Sequence, residues 1–272
     1  MGENNKVIAV DLGGTNLRVA LVQGKKVLKY DKEATPKTQK QLLDLIVKMI
    51  SKLMTKEVRA IGVGSPGPLK DGVIVNTPNL PFKVFDLKTF LFKRFKKRVE
   101  VGNDADVVAL SEAKFGVKKK NFIILTLGTG IGGGVIIDHK LFRGQGYAGE
   151  LGQILIHDGK DMETYWQGLR RNCRKFFGRE MLIKELLNSK DKRAVKILKD
   201  VSYYLGQGIA SLIHIFDPEV IVLMGGARET GNKFLNMIKK ETYKVLMVPH
   251  KTPIVWSKLK HPGILGASLL VR

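Results

Sequence analysis

The sequence predicts an α/β protein built as two similar halves, and three stretches carry that expectation. Val7-Ile8-Ala9-Val10 is an apolar, mostly β-branched run that reads as a buried strand. It ends on Asp11, passes Gly13-Gly14-Thr15, and returns as a second strand, Leu17 to Val22, so the glycines make a hairpin turn. About half a chain later the same grammar recurs: a buried strand from Asn121 to Leu127, the turn Gly128-Thr129-Gly130-Ile131-Gly132-Gly133-Gly134, and a departing strand, Val135 to Asp138. A third strand, Val220 to Met224, also ends in glycines, at Gly225-Gly226-Ala227. Two hairpins at matching places indicate an internal duplication into two domains, with a ligand site in the cleft between them.

The turn chemistry narrows the ligand. Glycine turns bring backbone N–H groups close to a bound group, and such nests bind anions. Asp11 beside one nest would repel a bare phosphate, but a divalent cation between them resolves the conflict, since Mg²⁺ is held by one or two carboxylates plus substrate phosphates. Taken alone, the first stretch reads equally well as an ordinary glycine-rich hairpin with Asp11 as a turn residue. The second hairpin favours the phosphates of one nucleotide shared by both halves.

The remaining elements follow in order. Lys26 to Tyr30 is a third strand, and Thr38 to Met54 carries Leu42, Leu43, Ile46, Met49, Ile50 and Leu53 at helical spacing. Ala60 to Gly64 is the next strand. Ser65-Pro66-Gly67-Pro68 and Thr77-Pro78-Asn79-Leu80-Pro81 are rigid loops flanking a short extended piece, Gly72 to Val75. A helix from Asp86 to about Lys97 packs Leu87, Phe90, Leu91 and Phe95. Val99 to Gly102 leads into Asn103-Asp104-Ala105-Asp106, and the helix that follows is closed by Gly116. Either Asn103 or Asp104 can cap that helix. Glu163 to Asn188 reads as two helices broken at Gly178. Asp191 to Phe216 reads as one long helix with Val195, Leu198, Val201, Leu205, Ile209 and Leu212 on its buried side, and Gly206 and Gly208 inside it predict close packing on a neighbour. A helix from Asn232 to Leu246, a strand from Ile254 to Trp256 and a last glycine-containing helix complete the chain.

Composition sets outer bounds. The 272 residues can bury one large core or two medium ones, and the 44% hydrophobic fraction fits a soluble protein. No apolar run reaches the length of a membrane span, no signal-peptide core precedes the first strand, and Lys6 breaks the myristoylation pattern, so a cytoplasmic protein is expected. One cysteine, Cys173, excludes internal disulfides and cysteine-rich zinc clusters. The formal charge of +22 is unusual. It reads as a nucleic-acid surface, as a match for a polyanionic substrate such as polyphosphate, or as a lysine-rich solvated surface of a heat-adapted protein. The basic residues are scattered and no nucleic-acid module accompanies them, so specific nucleic-acid recognition is not expected.

The strings Asp11-Leu12-Gly13-Gly14-Thr15-Asn16-Leu17-Arg18 and Leu125-Thr126-Leu127-Gly128-Thr129-Gly130-Ile131-Gly132 resemble the two phosphate motifs of the ROK family (repressors, uncharacterised open reading frames and sugar kinases), whose fold is the two-domain actin/hexokinase-like α/β fold, a duplicated ribonuclease H-like unit. The resemblance extends over nearly the whole chain. It implies a smaller domain over 1–103 and a larger one over 104–272, with a last helix, about 262–272, free to pack back on the first domain. It implies an ATP-dependent hexose kinase with Mg²⁺, glucose being the first substrate. Gly13, Gly14, Thr15, Gly128, Thr129, Gly130 and Gly132 would hold phosphates, Gly225 and Gly226 would make room for adenosine, and Asp11 would hold Mg²⁺ through water. Asn103-Asp104-Ala105 resembles the family's Asn-Asp-Ala-Asn motif, which makes Asp104 the base that takes the sugar hydroxyl proton, with Asp106 in place of the usual Asn. Asn103, Glu150 and Glu163 would orient the sugar, with Gly67 and Asn79 from the Pro/Gly loops.

Two departures stand out. In the family a His and three cysteines hold a structural zinc; here Gln153 replaces the His, Asp161 stands where the last Cys would be, and the loop shrinks to Ile156 to Glu163, so no zinc is expected. Trp166 is expected in the core rather than as a sugar platform. Alternatives from the resemblance are an N-acetylhexosamine (N-acetylmannosamine or N-acetylglucosamine) kinase, a polyphosphate-using glucokinase, and a non-catalytic sugar sensor. Repressor members carry a helix-turn-helix ahead of the first hairpin, and only six residues precede it here, so operator binding by that route is not expected. Relatives are commonly homodimers, though no interface is readable in the residues.

Overall fold

Each half of the chain is organised on one five-stranded sheet, and the two sheets share a plan. The computed structural model describes residues 5–67, 69–75, 77 and 80–272. Strands β1 (Lys6–Leu12), β2 (Asn16–Gln23) and β3 (Lys26–Ala34) form an antiparallel meander. Helix α1 (Gln39–Leu53), capped by Thr38 Oγ1 on the Gln41 N–H, carries the chain to β4 (Val58–Ser65), parallel to β1. Its buried face is Leu42, Ile46, Met49, Ile50 and Leu53, the helical stripe expected, with Leu43 only half-buried at its edge. Short strands β5 (Leu69–Lys70), β6 (Val73–Val75) and β7 (Val84–Asp86) make a small sheet, followed by α2 (Leu87–Phe95). Strand β8 (Arg98–Asn103) then completes the order β3-β2-β1-β4-β8 and runs straight into α3 (Asp104–Phe115).

The second half repeats the plan. Strands β9 (Phe122–Leu127), β10 (Ile131–Ile137) and β11 (Lys140–Leu141) are antiparallel. A hairpin of β12 (Leu155–His157) and β13 (Lys160–Asp161) leads into α4 (Met162–Phe177), then α5 (Ile183–Asn188) and α6 (Lys192–Phe216). Strand β14 (Val220–Gly225) pairs parallel with β9, and after α7 (Asn232–Tyr243) strand β15 (Ile254–Trp256) pairs parallel with β14, giving the order β11-β10-β9-β14-β15. Three antiparallel strands and two parallel ones, in the same sequence, appear in both sheets.

The last helix, α8 (Pro262–Leu269), belongs to the first unit, where it packs on α3, β1 and β4. That unit comprises Met1–Lys118, Arg143–Tyr147 and Leu259–Arg272; the second comprises Lys119–Phe142 and Ala148–Lys258. The expected division after residue 103 therefore falls after Lys118 in the structure. The reason is α3: Gly266 of α8 lies so close to Val107 that a Cβ there would overlap the Val107 carbonyl.

The second core is built on α6. Ala194, Ile197, Leu198, Val201, Leu205, Ile209 and Leu212 are buried, but Val195, expected on that face, is 39% exposed. It stands one residue, about 100° of helix, off the stripe that begins at Ala194. Gly206 meets α7 at Glu241, and Gly208 lies against the Met162 sulfur, so both glycines mark close approaches, as their place inside a helix predicts. Among the described residues no helix is long and apolar enough to cross a membrane.

Candidate active site

In the first unit, Asp11 stands next to last in β1, between the buried Val10 and Leu12, and pairs in register with Arg18 on β2, because the hairpin brings residues seven apart face to face. Arg18 Nη1 donates to Asp11 Oδ2 at 2.9 Å. Burial pushes the Asp11 carboxyl above its ordinary value, and Arg18, then His261, pull it part of the way back. A cation bound directly to this carboxylate would face the Arg18 guanidinium. The pairing therefore suits an ion held at one water's remove. Gly13, Gly14 and Thr15 form the turn, with Thr15 exposed, and the Gly13 N–H closes it on the Asn16 carbonyl at 3.0 Å. Thr35, which no pattern in the sequence singles out, reaches in from the end of β3: its Oγ1 donates to the Gly13 carbonyl at 2.6 Å and its N–H to the Thr15 carbonyl at 3.0 Å.

Strand β8 delivers Asn103 and Asp104 to the head of α3. Both capping alternatives are realised in part. Asn103 Oδ1 accepts the N–H groups of Ala105 and Asp106 at 2.8 and 3.2 Å, so Asn103 is the cap. Asp104 Oδ1 also accepts the Ala105 N–H, at 2.8 Å. Asn103 Nδ2 reaches the Gly67 carbonyl at 3.5 Å, so those two residues lie together. Gly67 has φ +88°, and a Cβ there would press on Thr77, so this position requires glycine. Asp106 is buried and pairs with Arg143, Nε to Oδ2 3.6 Å. Asn79, like Pro68 and Pro78, lies outside the described residues.

In the second unit, Gly128 and Thr129 are exposed in the turn, and the Gly128 N–H closes on the Gly130 carbonyl at 3.0 Å. Gly132 stands inside β10, opposite Thr126, rather than in the turn itself. Two side chains of α4 grip this hairpin. Trp166, buried as expected, donates its Nε1–H to the Gly128 carbonyl at 2.9 Å. Glu163 Oε2 accepts the Ile131 N–H at 2.6 Å, and Gln167 Nε2 donates to its other oxygen at 3.0 Å. The carboxylate expected at the sugar thus accepts a hydrogen bond from the β9–β10 hairpin. Sequence gave no hint of this, because α4 meets β10 only through the fold.

Glu150 is seated by glycines. Gly149 has φ +105° and a Cβ on it would stand 2.9 Å from the Gly133 carbonyl, while a Cβ on Gly133 would stand 2.6 Å from the Gly149 carbonyl. This backbone contact lays the segment along β10 and leaves Glu150 exposed beside the hairpin. Partial desolvation of its carboxyl, and the charge of Glu163, both raise the Glu150 pKa. Gly225 closes the row at the end of β14, in register with Leu127 and at φ +134°. Around Gly226 nothing stands within 4 Å of a Cβ position, so the backbone there faces open space.

Where the zinc loop of relatives would lie, the chain makes the β12–β13 hairpin. Asp161 caps α4, accepting the Thr164 N–H at 2.6 Å, and the Tyr165 hydroxyl donates to the His157 carbonyl at 2.9 Å. The Tyr165 ring stacks on Tyr204 of α6 with centroids 3.5 Å apart.

Comparison with known proteins agrees with this geometry. The model of the ROK family matches residues 7–272. A glucokinase of Thermotoga maritima is 28% identical over 98% of this chain and 97% of its own. The structure of a ROK family glucokinase from Streptomyces griseus, in complex with glucose and AMPPNP, superposes with a TM-score of 0.86 at 28% identity, covering 98% of this chain and 99% of that one. A xylose repressor of Bacillus spizizenii is 30% identical over 75% of this chain but only 58% of its own length.

Proposed function

The chain belongs to the ROK family, with the family's actin/hexokinase-like α/β fold, and from that premise we propose that it transfers the γ-phosphoryl group of ATP to the 6-hydroxyl of a hexose, glucose first. It is a sugar phosphotransferase; the hexose and the residue roles are our reading. The observation that carries it is Asp104, a carboxylate at the head of α3 beside the Asn103 cap.

In this reading Asn103, Glu150 and Glu163 orient the sugar hydroxyls, with Gly67 lining the same loop and Asn79 assigned with it on the family pattern. Asp104 accepts the 6-hydroxyl proton as that oxygen attacks phosphorus, which positions the nucleophile and removes charge from it. Gly13, Gly14, Thr15, Gly128, Thr129, Gly130 and Gly132 supply backbone and hydroxyl donors to the phosphates, and Gly225 and Gly226 leave room for adenosine. Mg²⁺, held near Asp11 through water, supplies charge neutralisation on the phosphates when bound. A homodimer accords with the habit of the family.

Purified protein with Mg·ATP and a panel of glucose, mannose, fructose, glucosamine, N-acetylglucosamine and N-acetylmannosamine, followed by sugar-dependent ADP release, tests the reading. Turnover on glucose that disappears in Asp104→Asn supports it. Turnover only on an N-acetylated sugar moves the substrate class, and nucleotide binding without turnover on any sugar replaces the enzyme with a sensor. Polyphosphate as donor is a second reading, motivated by the +22 charge; equal or better rates with polyphosphate at physiological salt would establish it.

A further inference from the structure

The duplicated hairpins share a detail that neither sequence motif contains. Gly13 follows the last residue of β1 and Gly128 follows the last residue of β9, so they are equivalent positions. In each, the glycine's N–H is spent closing the turn. In each, the glycine's carbonyl accepts a hydrogen bond from a side chain outside the hairpin: Thr35 Oγ1 at 2.6 Å on Gly13, Trp166 Nε1 at 2.9 Å on Gly128. Both donor side chains belong to residues only 7% exposed, so water competes little for these bonds.

The consequence follows from the peptide bond. A trans peptide is planar, and its carbonyl oxygen and the next residue's N–H point to opposite sides. Fixing the Gly13 carbonyl therefore fixes the direction of the Gly14 N–H, and fixing the Gly128 carbonyl fixes that of the Thr129 N–H. Glycine on one or both sides of each peptide would otherwise let the plane turn. Donors held in place before the anion arrives need no reorganisation when charge develops on it.

We propose that Thr35 and Trp166 are positioning residues of the two phosphate hairpins, each aiming one backbone amide, Gly14 N–H and Thr129 N–H, at the phosphates of the bound nucleotide. Their different chemistry, a hydroxyl in one unit and an indole in the other, performs one task on two copies of the same turn. This rests on the reading of the hairpins as nucleotide-phosphate sites.

The test uses full-length Thr35→Val, Thr35→Ser and Trp166→Phe, with thermal midpoints, KM for ATP, KM for the sugar, and equilibrium binding of Mg·AMPPNP. Valine keeps the shape of threonine and deletes the donor, serine keeps the donor, and phenylalanine keeps an aromatic ring and deletes the N–H. The expected result is a roughly five- to tenfold rise in KM for ATP and in the AMPPNP Kd for Thr35→Val and Trp166→Phe. The sugar KM should stay within about twofold, and Thr35→Ser should stay near wild type. Unchanged nucleotide affinity in Thr35→Val and Trp166→Phe overturns the proposal, as does a rise shared equally by both substrates or a serine variant as weak as the valine one. Wild-type protein that binds AMPPNP but phosphorylates no sugar removes the kinase reading, and the binding arm still decides the clamps. Wild-type protein that binds no AMPPNP removes both.

Discussion

Adjacent glycines at the end of β14 make a sharp pair of perturbations. Gly225 sits at φ +134°, ψ −179°, a region open essentially to glycine alone, and an added Cβ would overlap the Leu127 carbonyl across the sheet. Gly225→Ala thus combines backbone strain of about 1–3 kcal/mol with displacement of the ladder partner, worth about another 1 kcal/mol. A total of about 2–4 kcal/mol lowers the thermal midpoint by roughly 5–12 °C in a chain of this size. Gly226 has no positive φ and nothing within 4 Å of its Cβ position. Gly226→Ala should leave the midpoint within about 2 °C, yet raise KM for ATP severalfold, because the methyl enters space assigned to adenosine. Differential scanning calorimetry of both variants, with ATP and sugar kinetics alongside, decides the matter. If Gly225→Ala melts with wild type, or Gly226→Ala loses as much stability as Gly225→Ala, the assignment of structural need to one glycine and ligand space to the other is wrong.

Further outcomes follow from the same coordinates. Asp104→Asn keeps an acceptor for the Ala105 N–H and should fold normally while kcat drops by about 10²–10⁴-fold, measured by coupled ADP release at saturating sugar. Glu150 must be ionised to accept sugar hydroxyls and its pKa is raised, so sugar affinity should fall with decreasing pH from above the ordinary carboxylate range; Glu163→Gln removes the neighbouring charge and should move that limb to lower pH, read from sugar KM against pH. The same raised pKa means that Glu150's contribution to stability is present at low pH and is lost as pH rises through its folded-state value. Asp161→Ala removes the cap of α4 and should cost about 1 kcal/mol, a fall of a few degrees in the melting curve, with Asp161→Asn largely restoring it.

The strands, the long helices and the place of Asp104 were legible because they rest on local signals: β-branched runs, helical spacing and an Asx residue before a helix. The bonds of Glu163 and Trp166 to the hairpin were not, because a hydrogen bond from α4 to the β9–β10 turn joins residues more than thirty apart and leaves no period in the sequence. Val195 was misplaced for a different reason. On a helix with apolar residues at 194, 195, 197 and 198, spacing alone admits two neighbouring stripes, and only the partner surface selects one. Thr35 carried no signal at all, since a threonine at a strand end is ordinary β chemistry. The boundary expected after residue 103 followed the motif order, whereas the contacts of α3 with α8 group residues 104–118 with the first unit.

That return of the chain has a cost during synthesis. Val7, Ala9, Ala20, Val22 and Ala60 present one face of the first sheet, and Ile264, Leu265, Ala267 and Val271 are what cover it. Residues 7–60 therefore leave an apolar face bare until residues 264–271 have been made. The whole of the second unit, Lys119–Phe142 and Ala148–Lys258, lies between them in sequence. A chain cut short anywhere before Pro262 lacks that cover, and transiently exposed apolar surface of this kind is what makes partly folded chains prone to aggregate.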